Sequence, residues 1–148
     1  MILPNFKDFP NSGRIIGIDW GARRTGVAIS DENRGFVFVR EPIVSENADD
    51  LINKLVGVIV AERVSGIVIG LPLYMDGTES DTTNKVRAFA NSLAEHTDIP
   101  ICFLDETLSS ASAQESMGRV SVHDIKQKLD SESARVILEN AVAVIKRL

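Results

Sequence analysis

Two short apolar runs after residue 65 most constrain the fold of this chain. GIVIG (66–70) and PICFL (100–104) have the length of single strands and carry no charged residue. Continuous apolar strands are typical of parallel sheets that are covered on both faces. Segments 48–63 and 79–96, which precede these runs, have apolar residues at helical spacing. Strand and helix therefore alternate, which predicts parallel strands joined by helical crossovers.

The first half of the chain has a different pattern. RIIGIDW (14–20) and TGVAIS (25–30) are predicted strands separated by a turn that contains glycine. FVFVREPIV (36–44) follows as a third strand, which we expect to end near Pro42. Three strands so close together predict an antiparallel meander.

Two more helices are predicted after the last strand, over 109–118 and 123–147. The element order is then β-β-β-α-β-α-β-α-α. This order predicts an α/β protein with three layers, in which a five-stranded mixed sheet carries helices on both faces.

Composition limits the possible classes of protein. With 148 residues the chain has the length of one domain, and its single cysteine excludes an internal disulfide and fits a reducing cytoplasm. No apolar run approaches the ~18 residues that span a membrane, and the first residues lack the pattern of a signal peptide. We therefore expect a cytoplasmic protein without a membrane partner.

The net charge of −5 argues against general binding of nucleic acid, because phosphate binding depends on positive charge. Carboxylates that hold divalent cations, however, make the formal charge more negative than that of the cation-bound protein. A local basic patch would then be enough to bind a nucleic acid.

Asp19 is the first candidate functional residue. Alternation along the first predicted strand places Ile15, Gly17 and Asp19 on one face. Gly17 has no side chain, which leaves space beside Asp19. A carboxylate at the end of a buried strand is a common position for a metal ligand, although an aspartate that binds only local turn amides has the same pattern.

Asp130 is the second candidate. It precedes Ala134, Ile137 and Ala141 on the apolar stripe of the last predicted helix. A charge on the core-facing side of a helix is costly unless it is paired or bound to a ligand. If the helix begins near residue 127, the helix dipole alone would stabilise this acid.

Asp105 and Glu106 supply the third acid. They follow the strand 100–104 at its carboxyl end, where sites on α/β sheets usually form. We expect Glu106 to be the inner ligand and Asp105 to support it. Together with Asp19 and Asp130, Glu106 would form an oxygen-rich pocket suited to Mg²⁺ or Mn²⁺, and two such ions about 4 Å apart promote phosphodiester hydrolysis.

The loop GLPLYMDGTESD (70–81) leads from a strand into a helix. Thr78 and Asp81 have the spacing of a capping box. Thr78 and backbone amides at this helix start are a candidate phosphate contact, although a structural loop has the same composition.

Four basic residues are candidates for binding a nucleic-acid backbone. Arg23 and Arg24 follow Asp19 in the first turn, and Lys126 and Lys128 precede Asp130. Arginines in a turn are also often only solvated.

Four motifs together resemble the YqgF family of pre-16S rRNA nucleases, whose members are also described as Holliday-junction-resolvase-like. They are GIDWGARRTGVAISD, GLPLYMDGTES, LDETLSS and DSESARVIL, and the similarity runs from about Arg14 to the C-terminus. The resemblance implies a ribonuclease-H-like nuclease domain over 14–148, preceded by an N-terminal extension (1–13) to which we assign no function.

The resemblance also implies an activity. It implies a divalent-metal nuclease that matures the 5′ end of 16S rRNA, in contact with pre-ribosomal particles, or one that resolves branched DNA. The acids of the family correspond to Asp19, Glu106 and Asp130. Thr107 stands where the family usually has arginine, Tyr74 stands where it usually has asparagine, and 121–128 is less basic. These departures concern substrate contacts rather than the acids.

Two other classes share parts of this pattern. GIDWGARRTGVA is similar to the first phosphate motif of actin-like kinases and ATPases, but those proteins close two such domains around ATP, and 148 residues hold one. A binding module that kept the fold and lost the chemistry is the other alternative, favoured by the acidic charge and by Thr107.

Overall fold

A computed structural model describes the backbone of residues 1–107 and 122–148, and the side chains of 1–106 and 132–148. The helix predicted for 109–118 lies outside these residues. The helices described are α1 (Ala48–Ala61), α2 (Asp81–Ala94) and α3 (Val122–Lys146). The strands are β1 (Ile2–Leu3), β2 (Arg14–Asp19), β3 (Arg24–Ser30), β4 (Val37–Val44), β5 (Val64–Leu73) and β6 (Ile101–Thr107).

The strands form one mixed sheet in the order β1-β6-β5-β2-β3-β4. The first half of the chain forms the predicted meander, because β2 pairs antiparallel with β3, and β3 pairs antiparallel with β4. The apolar runs 66–70 and 100–104 lie in β5 and β6, which are parallel to each other and to β2. The α/β class and the mixed sheet are therefore confirmed.

The sheet has six strands, so the predicted number of five was too low. The additional strand is β1, which pairs with the outer side of β6 through Ile2 and Leu3. Further along the same segment, Phe6 and Phe9 are buried and meet edge to face with 5.4 Å between ring centroids. A strand of two residues has no alternation to detect, and for that reason β1 was not predicted.

The third strand of the meander lies within its predicted range of 36–44. It ends close to Pro42, as expected, because β4 runs through this proline to Val44. Among the described strands β4 is the outermost one on its side of the sheet. Pro42 is tolerated there because an edge strand does not need every amide for pairing.

Helices cover both faces of the sheet. Buried residues of α1 and α2, among them Leu55 and Phe89, share one apolar cluster with Ile16 and Ile18 of β2. Buried residues of α3 share the second cluster with Ile15. The alternation predicted for the first strand is confirmed, and the side of the sheet that carries Ile15 is the α3 face.

The α3 helix lies very close to β2. A Cβ atom on Gly17 would come within 2.8 Å of Cβ of Leu138 and 3.1 Å of the carbonyl oxygen of Ala134. The space that we expected Gly17 to leave beside Asp19 is therefore filled by the backbone of α3. Glycine at this position sets the distance between the helix and the sheet.

Candidate active site

Asp19 and Glu106 lie on the same face and at the same edge of the sheet. Asp19 ends β2 and Glu106 is the penultimate residue of β6, and both strands run parallel to β5 between them. Asp19 alternates with Ile15 on the α3 face, and Glu106 alternates with Cys102, which is buried in the same cluster. Both side chains are half-buried. The fold thus places on one face of the sheet two acids that are 87 positions apart in the sequence.

Gly70 makes room for this pair. The register of β2 with β5 pairs Ile18 with Ile69, so Asp19 is level with Gly70. A Cβ atom on Gly70 would lie 3.5 Å from Cγ of Glu106 and 2.4 Å from Cδ1 of Ile137. Gly70 was not among the predicted site residues. A glycine within an apolar strand, directly before a motif loop, was the available signal.

Burial raises the pKa of the Glu106 carboxyl group, because a partly desolvated carboxylate is less stable than one in water. A positive charge beside the carboxylate would offset this cost. The electrostatics of the position therefore favour a cation.

Asp130 belongs to α3, but its side chain lies outside the described side chains. The backbone shows where position 130 lies along α3. Position 130 lies one helical turn before Ala134, whose carbonyl oxygen is the atom 3.1 Å from the Cβ position of Gly17. Among the side chains that the structure describes, no group of three His, Cys, Asp or Glu residues forms a metal site.

Asp105 points away from Glu106. Adjacent residues of a strand face opposite sides of the sheet, and Asp105 is exposed in a cavity that Arg87 of α2 and Val144 of α3 also line. A supporting role for Asp105 stays a prediction, and any such role would have to act from the opposite face.

The structure describes the side chains of only two of the four basic residues predicted to bind a nucleic acid. Arg23 is exposed in the turn that follows Asp19, and its carbonyl oxygen accepts a hydrogen bond of 2.9 Å from the amide of Ser45. Arg24 is half-buried at the start of β3. The side chains of Lys126 and Lys128 lie outside the described part of the chain.

The loop before α2 differs from the prediction. The capping box is formed by Ser80 and Thr83 rather than by Thr78 and Asp81. Thr78 instead donates two hydrogen bonds to Asp76, of 2.6 Å from its hydroxyl group and 2.9 Å from its amide. The prediction was wrong because the chain turns back after β5, with Leu73 bridging to Glu79, before the helix begins. Thr78 is thus bound to a carboxylate, which weakens the case for a phosphate contact.

A mixed sheet covered by helices on both faces, with two acids at the carboxyl edge of its parallel strands, defines a ribonuclease-H-like α/β protein. Solved structures share this fold. A structure named "T. thermophilus RuvC in complex with Holliday junction substrate" matches with a TM-score of 0.57 at 9% identity, over 91% of this chain and 96% of that one. "Thermus thermophilus RuvC structure" matches with a TM-score of 0.52 at 13% identity, over 88% and 95%.

The family follows from sequence comparison. The family model "RuvX: Holliday junction resolvase" matches residues 13–143, so this chain belongs to that family. A "Putative pre-16S rRNA nuclease" of Maridesulfovibrio salexigens is 40% identical over 88% of this chain and 98% of its own length. A protein of the same name from Rickettsia canadensis is 33% identical over 99% of both chains. The resemblance to the YqgF family is thereby confirmed.

None of the helices in the described residues is long and apolar enough to cross a membrane.

Proposed function

We propose that this chain is a metal-dependent endonuclease that hydrolyses phosphodiester bonds at the 5′ end of the 16S rRNA precursor. The observation that carries the proposal is the pair of half-buried carboxylates, Asp19 and Glu106, on one face at the carboxyl edge of the parallel strands. The names of relatives that match 88% and 99% of the chain support the substrate. A pre-ribosomal particle in the cytoplasm would be the setting for this reaction.

The donor set fits a hard divalent cation. Carboxylate oxygens are the ligands that Mg²⁺ and Mn²⁺ prefer, and burial disfavours the charge of Glu106 when no cation is present. Asp19, Glu106 and Asp130 would hold one or two such ions. Asp130 is included because it lies one helical turn before Ala134, which contacts β2 at Gly17, and because the family resemblance assigns an acid to this position. The bound metal would polarise the scissile phosphate and promote ionisation of the attacking water.

The residues of the chain would position the substrate. Arg23 is exposed in the turn that follows Asp19 and would contact the phosphate backbone. Lys126 and Lys128 would extend this contact along the amino-terminal part of α3. The acids themselves repel phosphate, so the substrate would be held mainly by groups around the pair.

Branched DNA is the second candidate substrate, because the matching family is described as a Holliday junction resolvase. The same acids would serve either substrate, since both contain the phosphodiester group.

Cleavage assays with a 16S precursor fragment and a four-way DNA junction test the proposal. Each substrate is incubated with Mg²⁺, Mn²⁺ or EDTA and with the wild type, Asp19→Asn or Glu106→Gln. Glu32→Gln is the matched control, because Glu32 is an exposed acid in the turn at the opposite edge of the sheet. We expect metal-dependent cleavage by the wild type and by Glu32→Gln. Asp19→Asn and Glu106→Gln should abolish it. Cleavage that survives EDTA and both substitutions would refute the mechanism, and metal-independent binding without cleavage would favour the binding module.

A further inference from the structure

Two adjacent apolar side chains project from the loop between β5 and α2. Met75 is 91% exposed and Tyr74 is 49% exposed. Single exposed apolar residues are common, but these two neighbours share the tip of one loop, and neither contributes to the described core. We call residues 74–77 the β5 tip.

The β5 tip is held by hydrogen bonds. The amide of Tyr74 donates to the carbonyl oxygen of Thr78 at 3.0 Å, and the amide of Gly77 donates to the carbonyl oxygen of Tyr74 at 2.8 Å. Gly77 has a φ of +83°, which glycine adopts without strain. These bonds fix the backbone that carries the two exposed side chains, so that little entropy is lost when they contact a ligand.

The β5 tip also lies directly beyond the acid pair. Pro72 of β5 pairs with Glu106 of β6, and Tyr74 follows Pro72 by two residues, just past the end of β5, so it lies at most about 7 Å beyond the level of Glu106. This distance is close to the length of one nucleotide in a strand. A nucleic acid whose phosphate is at Glu106 would place a neighbouring base near the tip.

The charge of the tip favours a base over a phosphate. Hydrogen bonds from the hydroxyl group and the amide of Thr78 hold the pKa of Asp76 below its usual range, so its carboxylate is ionised at neutral pH. A fixed negative charge repels phosphate. An aromatic ring and a thioether bind bases through stacking and dispersion, which do not depend on the charge of the backbone.

We propose that Tyr74 and Met75 form a contact for an unpaired nucleobase next to the scissile phosphate. The inference rests on the proposed function and adds to it that the substrate is single-stranded or unstacked at the cleavage site. A base inside a regular duplex already stacks on its neighbours, and its faces are then not available to Tyr74.

Binding measurements that do not involve cleavage test this inference. A single-stranded RNA of the precursor 5′ end, labelled with fluorescein, and the blunt duplex of the same sequence are titrated with protein in Ca²⁺ and in EDTA. The variants are Tyr74→Ala, Tyr74→Phe, Met75→Ala and Phe36→Ala. Phe36 is the matched control because it is 69% exposed and lies in the turn at the opposite edge of the sheet.

We expect Tyr74→Ala to raise the Kd for the single strand by about tenfold, at low and at high salt alike. Met75→Ala should raise it less, while Tyr74→Phe and Phe36→Ala should leave it unchanged. The inference is overturned if Tyr74→Ala and Phe36→Ala have equal effects, if the loss is as large for the duplex, or if the wild type does not bind the single strand in Ca²⁺.

The two proposals can fail separately. Binding that depends on Tyr74 in a protein that cleaves nothing would contradict the proposed function alone. If the wild type cleaves its substrate but Tyr74→Ala binds the single strand with the same Kd as the wild type, only the base contact is contradicted.

Discussion

Gly70 lies directly beside Glu106, with only 3.5 Å between Cγ of the acid and the position that a Cβ atom on the glycine would take. The same position is 2.4 Å from Cδ1 of Ile137 in α3. Gly70 therefore lets the final helix, the central strand and the acid meet at one point. A side chain here would separate them.

Gly70→Ala should destabilise the fold, because the added methyl group would overlap Cδ1 of Ile137 and push α3 against its packing on the sheet. We expect a loss of about 1–3 kcal/mol in the free energy of unfolding, measured with urea. Ile137→Val removes the Cδ1 atom, and the double variant should recover much of that loss. Equal stability of the Gly70→Ala single variant and the wild type would contradict the packing at this point.

The neighbouring acids Asp105 and Glu106 should behave differently, because they face opposite sides of the sheet. Glu106→Gln should lower the affinity for Mn²⁺ by more than about 100-fold, whereas Asp105→Asn should lower it by less than about tenfold. Calorimetric titration with Mn²⁺ gives both values. Equal losses would place the two carboxylates in one site, contrary to the strand geometry.

Glu106→Gln should also stabilise the metal-free protein. Burial raises the pKa of Glu106, so its ionised form destabilises the folded state at neutral pH, and the neutral amide removes that cost. In EDTA the Tm of the variant should exceed that of the wild type, and added Mg²⁺ should raise only the Tm of the wild type. Glu32→Gln, which changes an exposed charge, should have the same Tm as the wild type both in EDTA and in Mg²⁺.

Asp50 should make stability depend on pH below neutrality. Its carboxylate accepts a hydrogen bond of 3.1 Å from the amide of Glu46 and pairs with Lys54 at 3.2 Å, and these contacts lower its pKa. A lowered pKa stabilises the folded state above the ordinary value of the group, 3.8, and this contribution disappears as the pH falls through the folded pKa.

Asp50→Asn should therefore reduce the free energy of unfolding at pH 7, and the difference from the wild type should vanish in strong acid. Urea unfolding at several pH values measures it. Asp49→Asn is the matched control, since it removes the same charge from the same first turn of α1. A difference that persists unchanged into strong acid would exclude the ionised carboxylate as its source.

Phe9 should stabilise the fold, because it packs the amino-terminal segment against β5. It is 3% exposed, and a Cβ atom on Gly66 of β5 would lie 2.5 Å from its ring. Phe9→Ala should cost about 3–5 kcal/mol in unfolding free energy. Phe36→Ala, at an exposed ring, should cost much less, and similar costs for the two would contradict the packing of this segment on the sheet.

Much of the fold was predictable because it depends on local periodicity. Alternation along β2 placed Ile15 and Ile18 on opposite faces, and the stripe from Ala134 to Ala141 identified the buried side of α3. These patterns follow from the geometry of a strand and a helix, which the chain carries in its own order of residues.

The candidate site was predictable only in part. The sequence placed Asp19 and Glu106 at strand ends. Their position relative to each other depends on the order of the strands, in which β5 lies between β2 and β6. The capping residues of α2 were misassigned because a bridge from Leu73 to Glu79 takes Thr78 into a turn. Pairing between distant segments decides such details.

The sequence by itself determined the α/β class, the faces of the strands and the family to which the chain belongs. Only the tertiary structure decided that Ile2 and Leu3 close the sheet beside β6, and that Gly17 and Gly70 admit α3. The physical reason is that periodicity is written in neighbouring residues, whereas close packing depends on which distant surfaces come into contact.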